Sequence, residues 1–139
     1  MNESALAKAV ALVLWADDNI DQTEMKAASK IYEHFGLDWG QGKALLESQI
    51  GTFLDTDEDN EGEEEYAIGT IDFGEGVDTL DVLSALADLA CADGKVAFSE
   101  VQILHEIGRA MNVSVEIVTI AILLGVQSAK AKVDVEIQL

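Results

Sequence analysis

Ala16-Asp17-Asp18-Asn19-Ile20-Asp21-Gln22-Thr23-Glu24 returns, 76 residues later, as Ala92-Asp93-Gly94-Lys95-Val96-Ala97-Phe98-Ser99-Glu100. Each copy sets an Asp, a β-branched apolar residue three positions on, and a Glu seven positions after the Asp with a hydroxyl residue just before it. The register continues outward. Val10, Ala11 and Val13 fall on Leu86, Ala87 and Leu89 before the phrase, and Ile31, Phe35 and Leu37 fall on Ile107, Met111 and Val113 after it. Self-similarity of this kind predicts two copies of one helix-loop-helix unit, an internal repeat with two members rather than a solenoid.

Around the phrases the pattern is helical. Ser4 is a cap residue for a helix to about Trp15 whose Leu6, Val10, Val13 and Leu14 recur at helical spacing. A second helix is expected from Asp21 or Thr23 to Phe35, stopped by Gly36 in the left-handed cap position. Asp38 or Trp39 opens a third, carrying Leu45, Leu46, Ile50, Phe53 and Leu54. From Asp55 to Glu65 there are eight acids in eleven residues and no apolar side chain, which predicts a solvated loop. Residues 66–76, with glycines at 69, 74 and 76, read as a partly packed connector. Asp78 or Thr79 begins a fourth helix, Ala97 or Ser99 a fifth that Asn112 closes as an αL residue, and Ser114 a sixth. The sixth, from Val115 to Leu124, is apolar nearly all round, which predicts a central element covered on most sides. The tail 128–139 fits either a last helix or an extended segment, through the alternation of Val133, Val135 and Ile137 with polar residues.

The chain of 139 residues, 49% apolar and without proline, is long enough to form one domain over 1–139, with its core in about 5–125, an acidic loop at 55–65 and a tail at 128–139. Eight basic against 27 acidic residues give a net charge of −19, which excludes phosphate-neutralising work on nucleic acid and disfavours anionic membrane surfaces. Cations and basic protein surfaces are what such a field attracts. The single cysteine, Cys91, cannot form an internal disulfide and reads as a buried small hydrophobe. The start Met1-Asn2-Glu3-Ser4 lacks a signal-peptide pattern, and the most apolar stretch, Ile117 to Val126, is too short to span a bilayer. A soluble, cytoplasmic protein with no membrane insertion is expected.

The two phrases carry the candidate chemistry. A carboxylate in a loop and another in the first turn of the next helix can converge on a hard divalent ion, Ca²⁺ or Mg²⁺. Asp17, Glu24, Asp93 and Glu100, brought together by the repeat, would form such a set, and four carboxylates close together repel unless a cation sits among them. The plainer reading is capping: Asp21 with Glu24 makes a capping box, and Ser99 with Gln102 a weaker version. Both readings stand on the residues alone. An EF-hand fails in the first phrase, where Gln22 replaces the required glycine and Ala28 the bidentate Glu, and in the tract from Asp55, where Asn60 and Tyr66 stand there. His34 and His105 are not equivalent in the repeat and read as helix-face residues, and Trp15 and Trp39 as packing residues.

The doubled pattern Ala-Asp-(Gly)-x-(Ile/Val)-x-x-x-Glu, with Ile107-Gly108-Arg109-Ala110-Met111-Asn112-Val113-Ser114 after its second copy, resembles the TerB-like tellurite-resistance domain. That resemblance implies an all-α fold, a compact bundle of about seven helices in two similar halves, with no enzymatic activity and a divalent-cation role for the loop acids, here Asp17, Glu24, Asp93 and Glu100. It also implies a setting in tellurite and other chemical stress, beside a membrane-associated partner of the TerC type. Asp18 departs from the family's glycine. The alternative is an acidic protein-protein interaction module without a specific metal site, using the 15 acids and no Lys or Arg between Ala44 and Gly94. A metal-dependent hydrolase has the least support, because no second type of catalytic group accompanies the acids.

Overall fold

The computed structural model describes residues 2–16, 22–59, 71–92, 95–129 and 132–134. Six α-helices follow in order: α1 (Glu3–Ala16), α2 (Gln22–His34), α3 (Trp39–Asp59), α4 (Thr79–Ala90), then the short strand β1 (Lys95–Ala97), α5 (Phe98–Ala110), α6 (Val115–Ala129) and the strand β2 (Lys132–Asp134). The fold is all-α. The two strands form one parallel pair with Val96 opposite Val133, so the extended alternative holds for 132–134 of the tail.

Local chemistry sets most helix ends where the sequence places them. Asp38 accepts from the Gln41 amide at 3.1 Å, Asp78 from the Leu80 amide at 3.0 Å, and Ser114 from the Ile117 amide at 3.4 Å, each satisfying an orphan donor of the first turn. The first helix differs: its cap is Asn2, whose Oδ1 accepts from the Ala5 amide, rather than Ser4. Asn2 also donates its backbone amide to Phe73 O at 2.7 Å and its side-chain amide to Asp72 O at 3.2 Å, which fixes the connector to the start of α1. Within that connector Ile71 and Phe73 are buried, and the Ile71 amide donates to Ala110 O.

Two expectations are corrected. Helix α3 runs on to Asp59, into the tract expected as loop from Asp55. Nothing from Asp55 to Asp59 is a glycine or proline that would stop it. The rest of that tract, 60–65, lies outside the described residues. The central helix is α1, not α6. Every residue from Ala9 to Leu14 is buried, and α1 packs on α3, α4 and α5. Helix α6 buries Val118, Ala121 and Ile122 but exposes Val115, Ile117, Ile120, Leu123 and Leu124. Hydrophobicity all round does not specify which faces meet a neighbour.

The repeat is deeper than a helix-loop-helix, because it covers three helices per copy. Helix α1 packs on α3 as α4 packs on α6, and α1 on α5 as α4 on α2. The turn after α2 is copied after α5 bond for bond: Gly36 and Asn112 both take positive φ, 71° and 61°. Leu37 donates to Tyr32 O at 2.8 Å, and Val113 to Gly108 O at 2.9 Å. One packing pair exchanges sizes between copies. A methyl on Gly42 would overlap the Tyr32 ring, whereas in the equivalent pair a methyl on Gly108 would overlap Val118. The large residue sits on the second helix in one copy and on the third helix in the other, so both close approaches are kept.

Candidate metal centre

Glu24 and Glu100 are the third residues of α2 and α5, and they occupy the same register of the repeat. They are the only charged side chains buried among the described residues, at 4% and 3% exposure. A carboxylate taken out of water loses several kcal/mol of solvation unless partners replace it, on the order of 2–7 kcal/mol even for neutral polar groups. Proximity to a helix N-terminus returns only about 0.3–1 kcal/mol at the surface and does not require burial. Both glutamates engage in hydrogen-bonding or electrostatic contacts. Their position, third in the helix, is also that of the glutamate in a capping box, so reach toward the amide three residues before is open to both.

The described flanks of the two phrases meet in a reciprocal crossing. The Ser99 hydroxyl, one residue before Glu100, donates to the carbonyl of Ala16 at 2.9 Å, so the end of α1 meets the start of α5. In the other direction Thr23, one residue before Glu24, and Ala92 line the same groove, so the end of α4 meets the start of α2. Ser99 therefore does not cap α5; that helix opens one residue earlier, at Phe98, and the hydroxyl is spent on the other repeat. Asp17 and Asp93 are bonded directly to Ala16 and Ala92, and both lie outside the described residues. Among the described residues no group of three or more His, Cys, Asp or Glu side chains is placed to hold a metal.

Beside this junction lies a feature that the sequence analysis did not find. A groove of about 600 Å³ runs between α2 and α4, with Lys26, Lys30 and His34 on one wall and Asp81, Ser84 and Asp88 on the other. His34 Nε2 meets Asp81 Oδ2 at 3.0 Å; with both side chains about half exposed, such a pair contributes little to stability. Burial pushes the Asp88 carboxyl above its ordinary range. Each wall has helical spacing that is visible in the sequence, but which helices face each other is a long-range fact that spacing does not carry.

A family model described as tellurite resistance protein TerB matches residues 3–122 of the chain. No curated protein and no solved structure gives a significant match.

Proposed function

The chain belongs to the TerB family of tellurite resistance proteins, and from that premise we propose a non-enzymatic domain that binds a divalent cation, Ca²⁺ or Mg²⁺, between its two acidic loops in response to tellurite or related chemical stress. The ligands in this reading are Asp17, Glu24, Asp93 and Glu100. The observation that carries it is the burial of Glu24 and Glu100, in matching register, in a molecule of charge −19, while no other acid whose side chain is described is buried. Hard divalent ions take oxygen donors of this type, and an ion would add to the contacts that both carboxylates already make. The bond from Ser99 to Ala16 supports a shared centre, because it joins the flanks of the two phrases.

Bound there, the ion cross-links the two repeats at the junction of α1 with α5 and of α4 with α2. Its work is structural or switching: it neutralises local repulsion and ties the halves together, with no bond made or broken. An ion at a hundredfold excess over its Kd stabilises the folded state by about 2.7 kcal/mol. Thermal unfolding with and without millimolar Ca²⁺ or Mg²⁺ tests this. The melting temperature is expected to rise by several degrees in the natural sequence and to stay constant in a chain carrying Asp93→Asn with Glu100→Gln. No rise in the natural sequence contradicts the reading.

A further inference from the structure

Helix α6 has one charged residue in fifteen, Glu116, in a protein that is otherwise densely acidic. Its inner side, Val118, Ala121, Ile122 and Gly125, meets α4 and α5. Its outer side carries Ile117, Ile120, Leu123 and Leu124, exposed between 42% and 59%. The strip is bounded by Glu116 at one end and Gln127 at the other. Four such side chains expose a few hundred Å² of apolar surface, the range in which a patch on a single chain is often functional. From Ile117 to Leu124 the strip covers two turns, about 10 Å, which matches apolar residues at i, i+3 or i+4, and i+7 of a second helix.

We propose that this outer face of α6 docks a basic amphipathic helix of another polypeptide. Charge selects the occupant. Acids outnumber basic residues 27 to 8, and the one charged residue of α6 itself, Glu116, is an acid at the edge of the strip. Arg109, next to the Gly108 that packs on Val118, is already engaged by Glu106 at 3.6 Å. A second copy of this chain would bring another −19 charges to the same surface, and an anionic bilayer repels it likewise. A helix with an apolar stripe and lysines or arginines beside it gains from both the strip and the field. Docking here does not depend on the cation, whose candidate ligands follow α1 and α4 in the sequence or lie in the first turns of α2 and α5, and none is on α6.

The test is titration of the full chain, by calorimetry, with a model helical peptide of about 18 residues bearing leucines at i, i+3, i+4 and i+7 and lysines elsewhere. Two variants, Ile120→Glu and Leu124→Glu, are compared separately; both side chains are more than half exposed, so the fold tolerates the change, which circular dichroism checks. Each variant adds a negative charge that would strengthen a purely Coulombic attraction. Docking on the strip predicts instead that each weakens binding at least about tenfold. Equal or tighter binding by the variants, or no binding by the natural sequence, overturns the proposal. So does sedimentation showing a dimer that Ile120→Glu dissociates, since the strip then belongs to a second copy.

Discussion

Replacing Gly108 by alanine pits two opposed terms against each other. Gly108 lies inside α5, where an alanine is worth about 1 kcal/mol of helix propensity. The added methyl, however, overlaps the γ2 methyl of Val118, which is 1% exposed. A β-branched side chain in a helix has essentially one rotamer, so Val118 cannot swing away, and overpacking costs about 1–3 kcal/mol. Taking the upper part of that range, Gly108→Ala is destabilising by a net amount of about 1–2 kcal/mol. Val118→Ala alone removes two methyl-sized groups from a buried site and costs about 2 kcal/mol. In that background the overlap is gone, and Gly108→Ala becomes stabilising by about 1 kcal/mol. A double-mutant cycle by urea unfolding therefore yields a coupling of about 2–3 kcal/mol between the two positions. If Gly108→Ala stabilises the natural sequence, and by the same amount as in the Val118→Ala background, the close approach of α5 and α6 is refuted.

Two further outcomes concern ionisable groups. Tyr32 is fully buried, its hydroxyl has no hydrogen-bond partner among the described residues, and burial, followed by the Glu3 charge, pushes its pKa up to about 12 from 10.0. Because the folded value is raised, this group's contribution is complete below pH 10 and lost as pH climbs toward 12; Tyr32→Phe is expected to be neutral or stabilising by up to about 1 kcal/mol at pH 7 and to flatten that alkaline decline in Tm. Asp88 likewise holds its proton more tightly folded than unfolded, so its contribution is present below the carboxylate range and lost as pH rises through its raised pKa. Asp88→Asn should raise Tm at pH 7 and give no gain near pH 3, while an equal gain at both pH values would show that burial of the carboxyl is not the cause.

Much of the architecture is written in short-range signals. Gly36, Asn112, Asp38, Asp78 and Ser114 end or begin helices for reasons contained within four residues of themselves, and the 76-residue register carries from Val10 to Val113. Glu24 and Glu100 stand out by position in the sequence and by burial in the structure. Apart from the extension of α3 to Asp59, the corrected points turn on distant partners. Asn2 rather than Ser4 caps α1 because Asp72 and Phe73 fix Asn2 from 70 residues away. Ser99 serves Ala16 instead of its own helix, and no local rule announces a partner 83 residues distant. For α6, an apolar surface on every side identifies a helix that wants covering but not the side on which this chain supplies the cover. The pairing of β1 with β2 and the facing of α2 by α4 are contacts of the same long-range kind.

Calorimetric titration of the natural chain with Ca²⁺ and with Mg²⁺, read for stoichiometry, reaches the central claim most directly. A centre shared by the two repeats predicts one ion per chain, with Glu24→Gln and Glu100→Gln each weakening the same site. Two independent ions, each sensitive to only one of these substitutions, or no ion at millimolar concentration, would contradict it.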